Sequence, residues 1–217
     1  MNLRTIHQLG LAAAVFGCAA ASASSNLIVN GSFEDPVVPD SNGNGWITVY
    51  SGSTIGSAGW NVDQNSVDVH TREFSTKWNC ADGLQALDMT GGNQGIIHQE
   101  VAVTPGVDYQ LSFYMSANLA FAPQITSLEV YADGTMLGQV DFDTTGATLA
   151  SMNWQLHSFS FAAPDSLLNV EFRSLTPGGC GPAIDNVQLT AVPEPYSCLT
   201  DLLAFGMLGL FGWRNRK

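Results

Sequence analysis

Apolar and polar side chains alternate with a period of two through much of the chain, and no stretch within residues 24–191 sustains a 3.6-residue apolar stripe. Tyr109-Gln110-Leu111-Ser112-Phe113 and Leu168-Asn169-Val170-Glu171-Phe172 put every second residue on an apolar face, the signature of a half-buried strand. Residues 154–161 repeat the pattern. Leu128-Glu129-Val130-Tyr131, then Asp133-Gly134, then residues 136–142 read as a hairpin, because Asp-Gly accepts the positive φ of a tight turn. Residues 84–89, 96–103 and 183–189 are further strand candidates. Gly, Ser and Asn dominate residues 37–65, which predicts long surface loops there. Many short strands punctuated by Gly, Asp and Pro predict an all-β sandwich.

The two ends follow different rules. Arg4 precedes an apolar stretch closed by Ala21-Ser22-Ala23, the small-x-small pattern of signal-peptide cleavage, so residues 1–23 are expected to be a leader. Val15-Phe16-Gly17-Cys18 loosely resembles a lipobox, the alternative processing site, although Phe16 fits it poorly. Residues 192–217 hold Pro193-Glu194-Pro195, an apolar span at 196–213 and the basic Arg214-Asn215-Arg216-Lys217. As a helix, the 18-residue span rises about 27 Å against a hydrocarbon core of ~30 Å. The basic residues behind it mark the cytoplasmic side. Asp201 interrupts the span near its outer end.

Between these ends, 168 residues suffice for one domain. Arg72, Lys77 and Arg173 are its basic residues, set against 17 acidic ones for a net charge of −14. That balance excludes nucleic acid as a partner, because phosphate binding needs basic patches. It is compatible with calcium and with neutral polysaccharide. The domain keeps two cysteines, Cys80 and Cys180, which in an oxidising compartment most simply pair. Such a bridge closes a loop of 100 residues and contributes roughly 4 to 5 kcal/mol on the chain-entropy account.

The C-terminal arrangement resembles the PEP-CTERM sorting signal of Gram-negative bacteria. That resemblance implies an exosortase as partner, export through the inner membrane, a membrane helix that is transient, and delivery to the cell surface or extracellular matrix. The domain opens with Asn26-Leu27-Ile28-Val29-Asn30-Gly31-Ser32-Phe33-Glu34 and closes with Gly181-Pro182-Ala183-Ile184-Asp185-Asn186-Val187. Between them lie Ser66-Val67-Asp68-Val69-His70, Trp78, Asp82-Gly83, Gln85, Thr104-Pro105-Gly106 and Ser116-Ala117-Asn118. These motifs resemble the choice-of-anchor C proteins and, more distantly, a plant cell-wall family of galactose-binding-like domains. The resemblance implies a jelly-roll sandwich of two antiparallel sheets.

The opening and closing motifs are also similar to those of jelly-roll carbohydrate-binding modules. That likeness implies that Glu34 and Asp185 hold a structural calcium ion, which takes six to eight oxygen ligands. The alternative is that Glu34 is a turn residue and Asp185 bonds loop amides. A sugar site needs a flat aromatic for a pyranose face and fixed polar groups for its hydroxyls. Trp46, Tyr50, Trp60 and Trp78 lie in loop-like segments. Trp78 with Asp82 is the leading pair, and His70, Gln85 and Asn118 are the further polar candidates. No Gly-x-Ser-x-Gly, His-Glu-x-x-His or phosphate loop is present, so the expectation is a non-catalytic domain that binds extracellular polysaccharide or cell-wall glycan. A structural matrix protein without a sugar pocket and a glycan-acting enzyme are the alternatives.

Overall fold

A computed structural model describes residues 25–39, 43–72 and 78–193. The expected leader at 1–23, the residues Glu194 and Pro195, and the span at 196–213 lie outside the described residues. Among the described residues no helix is long and apolar enough to cross a membrane.

The β-structure belongs to a unit spanning Ser24–Val192. It comprises β1 (Trp46–Tyr50), β2 (Thr54–Ile55), β3 (Trp60–Gln64), β4 (Ser66–Thr71), β5 (Gln85–Asp88) and β6 (Ile96–Ala102). There follow β7 (Asp108–Ala117), β8 (Ile125–Ala132), β9 (Thr135–Asp143), β10 (Gln155–Ala162), β11 (Leu167–Ser174) and β12 (Pro182–Ala191). One sheet, A, has the order β1-β4-β5-β12-β7-β10; the other, B, has β2-β3-β6-β11-β8-β9. Every pairing is antiparallel.

The inner faces of the two sheets share one core. Val67, Val69, Leu87, Leu111, Phe113 and Ile184 of sheet A meet Trp60, Ile97, Val130, Phe142, Leu168 and Phe172 of sheet B. Phe113 and Phe172 cross edge to face with centroids 5.0 Å apart, a favoured aromatic geometry. Alternation predicts this well where it is strict: β8 and β11 share one repeating pattern of buried and partly exposed positions. The β8–β9 turn adopts positive φ at Asp133 (46°) and Gly134 (71°), the backbone of a primed two-residue hairpin. On β12 a register shift between Asp185 and Gln188 inserts a residue. It resets the alternation so that Ile184, Val187 and Leu189 all reach the core.

Residues 37–65 correct the expectation of long surface loops, because β1, β2 and β3 fall there. Their turns are rich in Gly and Ser, which hid short strands whose apolar members, Ile55, Trp60 and Val62, are buried. Cys80 and Cys180 are also not bonded to each other. Each has its own neighbours: Cys80 packs beside the Trp78 cluster near Asp185 and Glu34, and Cys180 lies near Asp88 and Asp68.

The first and last segments close on each other. Asn26 accepts from the Leu189 amide (2.9 Å) and donates to the Val187 carbonyl (3.1 Å), while the Val187 amide donates to the Gly31 carbonyl (2.9 Å). Gly31 is required by this crossing, since a Cβ there would overlap the Val187 carbonyl oxygen. Gly31→Ala is therefore expected to destabilise the domain by about 1–3 kcal/mol, the usual range for overpacking, read as a lower urea midpoint at unchanged slope.

Candidate functional site

Sheet A buries its outer face as well as its inner one along β4, where all six residues are buried. Val67 and Val69 enter the core, so Ser66, Asp68 and His70 point the other way. Register then lines up the neighbours. Thr48, Asp68 and Asp88 stand opposite one another across β1, β4 and β5, and Ala183 and Ser116 continue the row. The next row is Trp46, His70 and Ala86. Directly opposed residues on one face touch, and Thr48 and Asp68 of the polar row with Trp46 and His70 of the aromatic row line a cleft of about 320 Å³. Its walls include Trp78, Gly91, Asn118, Phe121, Leu149 and Cys180.

His70 lies between two indoles. Its ring stacks on Trp78 at 4.1 Å and 4°, and on Trp46 at 5.6 Å and 25°. Ala86, opposite His70, leaves the space that Trp78 fills together with Met152 and Ala183. Burial pushes the His70 imidazole down to about 3, so the ring is neutral, and neither nitrogen has a hydrogen-bond partner. No nucleophile–base pair therefore exists at this histidine.

The two carboxyl groups of the polar row differ. Asp88 is fully occupied: it accepts from Asn118 Nδ2 (2.7 Å), the Thr90 amide (2.9 Å) and the Gly181 amide (3.3 Å), and burial holds it well above the ordinary range. Asp68 is 6% exposed. Burial pushes it up to about 6 against a hydrogen bond from Thr48, and its Oδ1 has no partner. A Cβ on Gly91 would stand 2.8 Å from that oxygen, so the close packing here requires glycine.

Of the residues expected to bind ligand, the structure brings His70, Trp78 and Asn118 to the cleft and leaves Asp82 and Gln85 out of it. Gln85 is buried inside the fold, donating to the Phe33 and Pro36 carbonyls (2.7 and 3.0 Å) and accepting from the Val38 amide (2.7 Å). Asp82 accepts from Ser32 Oγ (2.7 Å). Trp78 is 1% exposed and is a wall rather than a platform. The accessible aromatics are Trp46, which is half-buried, and Phe121, 88% exposed. Trp60 is a core residue, and Tyr50 is exposed at the end of β1. Asp68 and Phe121 escaped sequence reasoning. The alternation of Ser66-Val67-Asp68-Val69-His70 carries the signal for Asp68, since it shares a face with His70.

Residues 26–190 match the family described as "Protein of unknown function (DUF642)". The chain belongs to the DUF642 family. Halomucin from Haloquadratum walsbyi is 28% identical over 173 residues, which are 78% of this chain and 2% of that protein, so the DUF642 chain spans a very small part of this relative. Among solved structures, TmCBM61 in complex with beta-1,4-galactotriose is 19% identical with a TM-score of 0.48, covering 78% of this chain and 100% of the other. The CBM22-1 xylan-binding domain from Paenibacillus barcinonensis is 16% identical at 0.47, with 81% and 99% covered. A family 35 carbohydrate binding module from Clostridium thermocellum is 13% identical at 0.42, with 68% and 92% covered.

In this DUF642 domain Glu34 and Asp185 grip one loop. Glu34 Oε1 accepts from the amides of Leu84 (2.7 Å) and Gln85 (2.9 Å). Asp185 Oδ2 accepts from the Asp82 amide (2.8 Å) and Oδ1 from the Asn186 amide (2.7 Å). Three of the four carboxylate oxygens thus face N–H donors, and no group of three His, Cys, Asp or Glu among the described residues is arranged to hold a metal. For Asp185 these are the loop-amide bonds of the alternative reading. The thiols are not poised nucleophiles either: burial and the nearby carboxylates push Cys80 up to about 12 and raise Cys180.

Burial pushes Asp185 up to about 7. A carboxyl raised above its unfolded value of about 3.9 favours folding when protonated, so its contribution is complete below about pH 4 and fades through about 7. Asp68 behaves alike through about 6. His70 acts oppositely, its contribution being present above about 6.5 and lost as the pH falls toward about 3. Above pH 6.5 only the carboxyl contributions change. Stability is therefore expected to decline between pH 6.5 and 8, and Asp185→Asn to flatten that decline, with Asp88 supplying what slope is left; urea midpoints at half-unit pH steps measure it.

Proposed function

We propose that this domain binds carbohydrate without catalysis, in the cleft on the outer face of sheet A. The observation that carries the reading is a set of unpartnered polar atoms on an aromatic-walled floor. Asp68 Oδ1 and both His70 nitrogens are buried without partners beside Trp46. Buried polar atoms are normally paired, and a site that leaves them open suits a ligand that pairs them. A sugar ring offers hydroxyl donors and acceptors at its edge and an apolar face for an indole. Asp68 offers an acceptor, and the neutral His70 one donor and one acceptor. The extreme segments support a setting for this activity: the leader-like 1–23 and the Pro193-Glu194-Pro195 tail argue for export and exosortase processing, and thus for extracellular polysaccharide or cell-wall glycan as the ligand.

The purified protein is expected to bind a subset of a polysaccharide panel saturably in affinity electrophoresis. Trp46→Ala should weaken that binding about tenfold, the effect of roughly 1.4 kcal/mol, while leaving the melting temperature within a few degrees. Retention on no member of the panel would remove the carbohydrate reading.

A further inference from the structure

The charge pattern of the cleft narrows its ligand. Asp68 is acceptor-only when ionised, lines the cleft, is more than nine-tenths buried, and has nothing bonded to its Oδ1. Buried charges ordinarily have a counter-charge, and none of the described residues lining the cleft is lysine or arginine. Of the two described basic residues, Arg72 is exposed just after β4 and outside that lining, and Arg173 is engaged on the opposite sheet, over the Tyr131 ring at 4.1 Å and paired with Glu171. His70 is held neutral between its two indoles.

Acidic floor and aromatic wall make complementary demands. A hydroxyl can bond Asp68 but brings no charge, and a uronate carboxylate meets the like charge of Asp68. An ammonium supplies both the donor and the counter-charge, and it is attracted by the faces of Trp and Phe as well. The volume of about 320 Å³ lies at the low end of small-ligand sites, which run from ~300 to 1,000 Å³, so a chain end or short segment fits rather than a long stretch. Resting on the carbohydrate reading above, we infer that the cleft selects a sugar bearing a free amino group, with the ammonium received by Asp68 and the ring set against Trp46 and Phe121.

The test is a calorimetric comparison of matched gluco- and galacto-configured oligosaccharides in four forms: free amine, N-acetylated, unsubstituted and uronate. The full-length protein is expected to bind a free-amine form at least tenfold tighter than its three counterparts. Asp68→Asn should abolish the preference, so that the free-amine form binds the variant no tighter than the unsubstituted sugar does. Equal or tighter binding of an unsubstituted, acetylated or uronate form overturns the amine selection and leaves the carbohydrate reading intact. Amine preference that survives in Asp68→Asn assigns it to the diffuse negative charge of the chain and overturns the role of this site. No binding by any form overturns both readings. The ranking by the wild-type protein decides the matter even if the variant does not fold.

Discussion

The closure of the first segment on the last strand sets everything else in place. Asn26 and Gly31 hydrogen-bond to β12 at Leu189 and Val187, which brings Glu34 and Asp185 to opposite ends of one short loop. Their carboxylates accept the amides of Asp82, Leu84 and Gln85. That loop follows Trp78 and leads into β5, so fixing it fixes the indole that covers His70. Charge-assisted bonds to backbone amides are stronger than neutral ones, and here they hold a segment that has no strand of its own. Gln85 adds a third tie, with its side chain bonded to residues 33, 36 and 38.

Covering the outside of β4 has a cost that sheet B avoids. Asp68, His70 and Asp88 are all desolvated, and each is displaced from its ordinary titration range in the direction burial dictates. A fold selected for stability alone would place apolar residues on a doubly buried strand or leave that face in water. This one keeps Asp68 and His70 there with unpartnered atoms, while Asp88 on the neighbouring strand is fully bonded. Unpaired buried groups cost about 1–3 kcal/mol each, and such a cost persists most readily where a ligand relieves it.

The sandwich was legible from the alternation in β7, β8, β11 and the Asp133-Gly134 turn, because each of those strands has one face in the core and one in water. The same rule misread residues 37–65, where strands of two to five residues are too short to show a period between Gly-rich turns. Part of the site was legible too. His70, Trp78 and Asn118 converge because register places them near one another, but no local pattern in sequence states which strands are neighbours. Asp68 was passed over because a polar residue alternating with valines ordinarily faces solvent. Asp82 and Gln85 drew attention as polar residues in a turn, and the structure shows their bonds going inward, to Ser32 and to the backbone of residues 33–38.

The two outer faces of the sandwich show why pairing, more than aromatic content, identifies the site. On sheet B, Tyr131 donates to Glu129 (2.9 Å) and carries Arg173 over its ring, Arg173 pairs with Glu171, and His98 meets Asp63 at 2.6 Å. Charges there answer each other within the sheet, so that face has an aromatic and several ionic groups yet makes no outstanding demand on a ligand. On sheet A no described residue lining the cleft is lysine or arginine, and the histidine is clamped where it cannot become a basic partner. The same strongly acidic composition is thus neutralised in part on one side and left concentrated at a single buried oxygen on the other. A ligand that carries its own positive charge completes sheet A in the way that Arg173 completes sheet B.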